Sequence, residues 1–411
     1  MNLKTSLSAI AAITGLTAGS ALAADFTIDT YGDYGNTYLE AYSKDFSKKH
    51  GVEFEFVTNN WNDHHNKLAT NLATGEGAGD LVFVDTGMIG NFVSQGGFLD
   101  LTDKMKSLGV DFADFAVSQG KGNDGRQYGV PVDLGPGVMY YRRDYMEDMG
   151  YDLSAVFRDF DSYLEYGREL KKKDILLVGN ASDVAQAIIY FTVEEGNGIY
   201  TDAKGKSLIT SERFVRAFEI AKTIRDEGMD GNIAAWTNDW YEGFKQGKFA
   251  TQMSGAWLLG HLNNWIAPDT KGKWGAANLP EGIYGSWGGS FLAIPKQSKN
   301  PEAAWEMIKY MTTEGQQIEG FKKIAAFPAN SATYDDPSFA EPIEFLNGQK
   351  ARLLFADIAS KIKPVLPGKA DHIADSLVIQ TALQEVLDNG RPIKEALKAA
   401  EKQLKRRMRS L

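Results

Sequence analysis

The chain contains no cysteine, and it opens with a segment suited to export. Lys4 precedes an apolar run from Leu7 to Leu16, and Ala21-Leu22-Ala23 follows. A basic start, a short apolar core and a small-residue site mark a secretory signal peptide, so residues 1–23 are expected to be removed. The run is about half of the ~20 apolar residues that span a bilayer, so it is not read as an anchor. The chain has no disulfide framework. It also lacks a thiolate metal site, a thiol nucleophile and a cysteine to carry a lipid. The expectation is a protein either free in a periplasm or released outside.

Even without residues 1–23, the 411-residue chain exceeds the ~250–300 residues at which single cores stop growing, so two domains are expected. A formal net charge of −10 argues against nucleic acid and anionic membranes as partners. The basic run Lys402, Lys405, Arg406, Arg407 and Arg409 closes a predicted helix, where positive charge complements the macrodipole.

Strand and helix patterns alternate from Phe26. Phe26–Tyr31 and Val52–Val57 alternate apolar and polar residues as strands do. Tyr38, Tyr42 and Phe46 recur as one helix face, and Trp61–Leu72 reads as a helix. Leu81–Val84 is a short apolar run, as in a strand covered on both faces. This order predicts an α/β fold with parallel strands and helical crossovers. Ligands then sit beyond the carboxyl ends of the strands, which selects Tyr31 to Tyr34, Asn59 to Trp61, and Asp85-Thr86. Val130-Pro131-Val132 is extended because the residue before proline is pushed toward β, and an interdomain crossing is placed there. Tyr140–Met149 reads as a helix; so does the segment after Asn300-Pro301, with Asn as N-cap. The last helix starts near Arg391-Pro392 and buries Ile393, Leu397, Ala400, Leu404 and Met408.

Catalytic and cofactor motifs are missing. The five histidines show no i, i+4 pair, and His64 and His65 are expected on different sides of a helix, so no metal site is read. Gly75 to Asp80 is a turn without the Walker lysine, and no cofactor is implied. Ser254 and Ser290 do not complete a nucleophile elbow. Asp33, Asp80, Asp85 and Asp133 are compatible with two roles. Two of them would serve a glycosidase as acid and nucleophile, or single carboxylates would accept hydrogen bonds from sugar hydroxyls.

Several blocks carry a resemblance. Asp124–Pro131, Tyr140–Tyr145 with Gly150, Phe244–Ala250 followed by Gly255-Ala256-Trp257, Trp274–Pro280, Gly288–Ile294 and Ala303-Ala304-Trp305 stand in the order found in one family. The chain resembles the periplasmic sugar-binding proteins of ABC importers, the cluster that includes maltose-binding protein. Asp80–Asp85 fits its upstream block, with Gly79 where proline is commoner. The resemblance implies a two-lobed, class II-like fold, each lobe a mostly parallel sheet with flanking helices, joined by hinge crossovers. It implies lobes at 24–132 with 288–325 and at 133–287 with 326–411. It also implies a monomer that delivers a carbohydrate to the permease subunits of a membrane importer, without catalysis.

A pyranose has apolar faces and a hydroxyl rim, so rings and carboxylates are its expected partners. By family position Trp257 and Trp287 are the first stacking candidates, joined by Trp61 and then by Trp240 and Trp236. Trp265, Trp274 and Trp305 are read as structural. Asp85 and Asp33 are the first carboxylates, with Asp133 following the crossing. Thr86 and Tyr31 add hydroxyls; Gly288 and Gly289, beside Phe291, permit close backbone approach or a bent crossover. The leading expectation is a di- or oligosaccharide bound by hinge closure. The alternatives are a charged sugar held by Arg142 or Arg143, a polyol, a chemoreceptor ligand carrier and a secreted glycoside hydrolase.

Overall fold

A computed structural model describes residues 26–32, 46–49, 51–122, 124–368 and 370–410. The expected leader, Asp33, Tyr38 and Tyr42 lie outside the described residues. Among the described residues no helix is long and apolar enough to cross a membrane.

The fold is mixed α/β. Strands β1 (Phe26–Tyr31), β2 (Phe54–Asn59) and β3 (Leu81–Asp85) are parallel, in the order β2-β1-β3. The helix Trp61–Thr74 joins β2 to β3. Its start is set by the Asn60 side chain, which accepts the Asp63 N–H at 2.9 Å. Its end is set by Gly75 in the left-handed region. Covered on both faces, β3 sends Val82 and Val84 into a core with Ile89, Phe92 and Phe98, and Leu81 and Phe83 into another with Phe26, Ile28 and Leu292.

The crossing differs from the sequence reading. The helix expected from Tyr140 is the end of a 13-residue strand, β4 (Val130–Arg142), and the following helix covers only Arg143–Asp148. The cause is tertiary. Every residue of β4 is buried, and it pairs along its whole length. Val130 to Pro136 run antiparallel to β7 (Ser286–Ala293), and Gly137 to Arg142 run antiparallel to β5 (Thr251–Gly255) and β6 (Trp274–Ala277). The short β8 (Phe327–Pro328) pairs with Asp133 and Leu134. Gly135 is required by this close approach: a Cβ there would lie 2.0 Å from the Trp287 carbonyl oxygen.

Beyond β4 a second core gathers Met139, Tyr163, Ile188, Phe218, Met253 and Leu383, together with Leu397 and Leu404 from the last helix, Ile393–Arg407. The helix Pro301–Met311 forms with proline in its first turn, yet Asn300 makes no side-chain cap. Asp80 takes that role from a distance, accepting the Lys299 and Asn300 N–H groups at 3.0 and 3.1 Å and the Ser298 hydroxyl at 2.8 Å. Asp80 is therefore a tie between β3 and this helix. Trp274 and Trp305 are buried, as read.

Candidate functional site

The parallel strands end at Tyr31, Asn59 and Asp85 on one edge of the sheet. There the chain ties its polar groups together through His65, which is 1% exposed. Its Nδ1 lies 2.8 Å from the Trp61 carbonyl oxygen, and its Nε2 lies 3.1 Å from the Asp85 backbone nitrogen. A carbonyl only accepts and an amide N–H only donates, so the ring is neutral with its proton on Nδ1. Burial pushes its pKa down to about 3, which keeps it so. The Trp61 ring lies 4.5 Å from the His65 ring and is 42% exposed. His64 is not on a separate face. It is also buried, 4.8 Å from the His65 ring, with Nε2 2.7 Å from the Phe83 carbonyl.

Asp85 caps the helix Thr86–Ser94 by accepting the Gly87 N–H at 2.7 Å, and it also accepts from the Trp61 side chain. Burial raises its carboxyl to about 6 despite both bonds. It is thus mostly a carboxylate at neutral pH, held in that form at an energetic cost. The Tyr31 ring sits 5.0 Å from His65, and its hydroxyl 2.9 Å from Ser290 Oγ. Burial first, then the nearby Asp85 and Asp133 charges, keep that phenol protonated.

The returning strand β7 closes the band. Gly288 and Gly289 have φ of 75° and 112°. A Cβ at Gly289 would meet the Asp133 carbonyl oxygen at 2.9 Å, so both turning and close approach require glycine. The Thr86 hydroxyl donates to the Gly289 carbonyl at 2.9 Å, tying the Asp85 loop to β7. The Trp257 indole N–H donates to the Trp287 carbonyl at 2.7 Å. Both indoles are part-exposed, and the Trp287 ring packs edge-on against Tyr190 and Phe191, each 6.1 Å away.

Behind Tyr190 lies an acidic corner. The Tyr190 and Tyr200 hydroxyls each donate to Asp375 Oδ1 at 2.7 Å. Asp371 accepts the Gly368 N–H at 2.8 Å, and burial raises it to about 7. This corner meets the helix that Asp85 caps: a Cβ on Gly90 would lie 3.2 Å from Pro367 Cβ.

Tyr31, Trp61, Asp85, Thr86, Asp133, Trp257, Trp287, Gly288 and Gly289 thus lie along one band. Asp133 is only 5% exposed. Two expected contacts are corrected. Trp240 is 2% exposed, wedged against Phe244 at 4.7 Å with Tyr241 and Trp236, so its faces are covered by protein. Phe291 is 2% exposed and packs with Ile89 and Val84, because it alternates to the core side of β7. Trp265, read as structural, is 45% exposed. Arg142, offered as the holder of a charged sugar, is 4% exposed, its Nε donating to Asp144 at 2.8 Å and its guanidinium 3.9 Å from the Tyr145 ring. His65 was weighed only as a metal ligand, and Tyr190, Asp371 and Asp375 were not singled out, since a lone tyrosine or aspartate carries no spacing signal. A separate hollow near Leu259, Phe321 and Arg352 has its polar rim committed, Lys271 to Glu344 and Arg352 to the Ser338 carbonyl. Among the described residues no cluster of side chains could hold a metal.

Comparison with known proteins agrees with this architecture. The chain is 27% identical to a lactose-binding protein of Rhizobium radiobacter, over 98% of this chain and 97% of that one. It is 25% identical to an arabinooligosaccharide-binding protein of Bacillus subtilis, over 93% and 92%. A crystal structure of an extracellular solute-binding protein of family 1 superposes with a TM-score of 0.80 at 25% identity, covering 93% of this chain and 98% of that one. The family model described as bacterial extracellular solute-binding protein matches residues 41–347, and the chain belongs to that family.

Proposed function

We propose that this protein is the periplasmic substrate-binding component of an ABC importer, and that it captures a neutral di- or oligosaccharide between two lobes. The lobes are residues 24–132 with 288–325 and residues 133–287 with 326–411, hinged where β4 and β7 cross. The observation that carries the reading is the band itself. The exposed Trp61 ring lies against His65, which is bonded to the Asp85 backbone, and the part-exposed Trp257 and Trp287 lie along the β7 backbone that Thr86 tethers. Such rings bury the C–H face of a pyranose, and the carboxylate accepts from its hydroxyls. The names of the relatives point the same way: one binds lactose and another arabinooligosaccharides. Arg142 is occupied by Asp144, which disfavours it as the bidentate anchor of an anionic sugar.

Sugar that touches both lobes favours the closed form, and delivery to a permease follows release. The protein returns its ligand chemically unchanged. A thermal-shift screen against a panel of neutral oligosaccharides tests the reading. A true ligand at about a hundredfold above Kd stabilises the fold by about 2.7 kcal/mol. A flat response across the panel, with a shift from amino acids or peptides instead, contradicts it.

A further inference from the structure

The aromatic band does not stop at Trp257. The Trp236 ring stacks on the Trp257 ring at 5.7 Å and 25°. His261 stands edge-on to both, at 5.4 and 5.8 Å. Trp265 follows, perpendicular to His261 at 5.8 Å, with its indole N–H donating to His261 Nδ1 at 3.1 Å. Tyr241 braces Trp265 edge-on at 5.0 Å and donates its hydroxyl to the Trp236 carbonyl at 3.2 Å. The result is a row of rings whose edges are held by neighbours while two large faces stay open. Trp236 is 46% and Trp265 45% exposed.

Two local features put these rings outside. Trp236 has φ of 66°, a left-handed conformation that a bulky side chain rarely adopts and that clusters at ligand clamps. Trp265 lies on a π-helical turn, Leu262–Ile266, of the kind often found at functional sites. That widened turn keeps Leu262 and Ile266 in the core while Asn263, Asn264 and Trp265 face outward. Exposed Asn238, Asp239, Asn263 and Asn264 flank the ring row. Apolar faces bordered by amides and a carboxylate match the faces and rim of a sugar better than an apolar protein surface does.

We propose that Trp236, His261 and Trp265 continue the binding site as an outer ledge for the third and later units of an oligosaccharide, whose first units occupy the cleft. This rests on the sugar-binding reading and specifies its substrate class, a chain longer than a disaccharide. Continuity with Trp257, itself bonded to the β7 crossover, is what assigns the ledge to the ligand.

Titration calorimetry with lactose and with galacto- and arabino-oligosaccharides of two to five units tests it. The wild-type protein is expected to gain affinity from two units to four. Trp265→Ala is expected to leave the disaccharide Kd and the unfolding midpoint unchanged while weakening the four-unit chain about tenfold, which is about 1.4 kcal/mol. Trp265→Phe, which keeps an aromatic face, is expected to recover part of the loss. Length-independent affinity in the wild type, or equal losses at every length in Trp265→Ala, overturns the ledge alone. Normal binding at every length in the variant, with uptake lost in cells, overturns it in favour of a permease contact. Failure of the wild type to bind any sugar of either series overturns both the ledge and the reading beneath it.

Discussion

On the β1–β3 side of the proposed cleft nearly every polar group is tied to another, whereas on the β5 side the rings touch mainly one another. His65 joins the Trp61 carbonyl to the Asp85 N–H, and Asp85 joins Gly87 to Trp61. On the other side, Trp236, Trp257, His261 and Trp265 make mostly edge and stacking contacts, with side-chain hydrogen bonds donated by the Trp257 and Trp265 indoles. The first side sets direction, because charge-assisted bonds demand aligned partners. The second side supplies contact area, which tolerates sliding and repeats of a ligand unit. Substitutions on the two sides are therefore expected to fail in different ways.

The largest effect is expected at His65. His65→Phe preserves a buried ring but leaves the Asp85 N–H without its acceptor, costing about 2–3 kcal/mol of stability. It also loosens Trp61, so affinity falls with stability; chemical denaturation and calorimetry on one sample check this. A stable variant that still binds fully would show that the tied side does not orient the site.

Asp85→Asn separates stability from binding. The folded carboxyl titrates near 6, above its ordinary value of 3.8, so the folded chain holds this proton more tightly than the unfolded chain. The stability this group adds is present below about pH 4 and is lost as pH rises through about 6. Removing the charge while keeping a capping side chain is expected to raise stability at pH 7 by about 1–2 kcal/mol. Affinity is expected to fall about tenfold or more, since hydrogen bonds to a charged group contribute about 1.5–3 kcal/mol. In the wild type, affinity should rise between pH 5 and 7, and the variant should lose that slope.

Gly289→Ala tests the joint between the sides. A Cβ against the Asp133 carbonyl, at φ of 112°, is expected to cost about 1–2 kcal/mol, read by urea denaturation. The smallest effect is expected at Trp240, whose buried Nε1 has no hydrogen-bond partner. Trp240→Phe removes that polar atom, so stability should change by less than about 1 kcal/mol and affinity not at all. A large affinity loss there would move the site inward and undo the contrast.

Much of the first half of the fold was legible because local pattern and environment agree there. Leu81–Val84 reads as a strand covered on both faces, and Val82 and Phe83 do go to opposite cores. Tyr140 was misread because Tyr140, Tyr141 and Tyr145 also fit a helical period, and only pairing with β5 and β6 decides for strand. The exchange of roles between Trp240 and Trp265 has a similar origin. Trp265 follows Leu262 at helical spacing, so it reads as core, but the π turn rotates it outward. Asp80 looked like a site carboxylate because its partners, Ser298 to Asn300, are remote in sequence.

The most direct measurement is a crystal structure of the protein with the neutral oligosaccharide that shifts its melting most. The account predicts a pyranose ring lying on the Trp257 or Trp287 face, with its hydroxyls bonded to the Asp85 carboxylate. A sugar seated elsewhere, as in the hollow beside Phe321 and Arg352, with both indoles and Asp85 untouched, would contradict it.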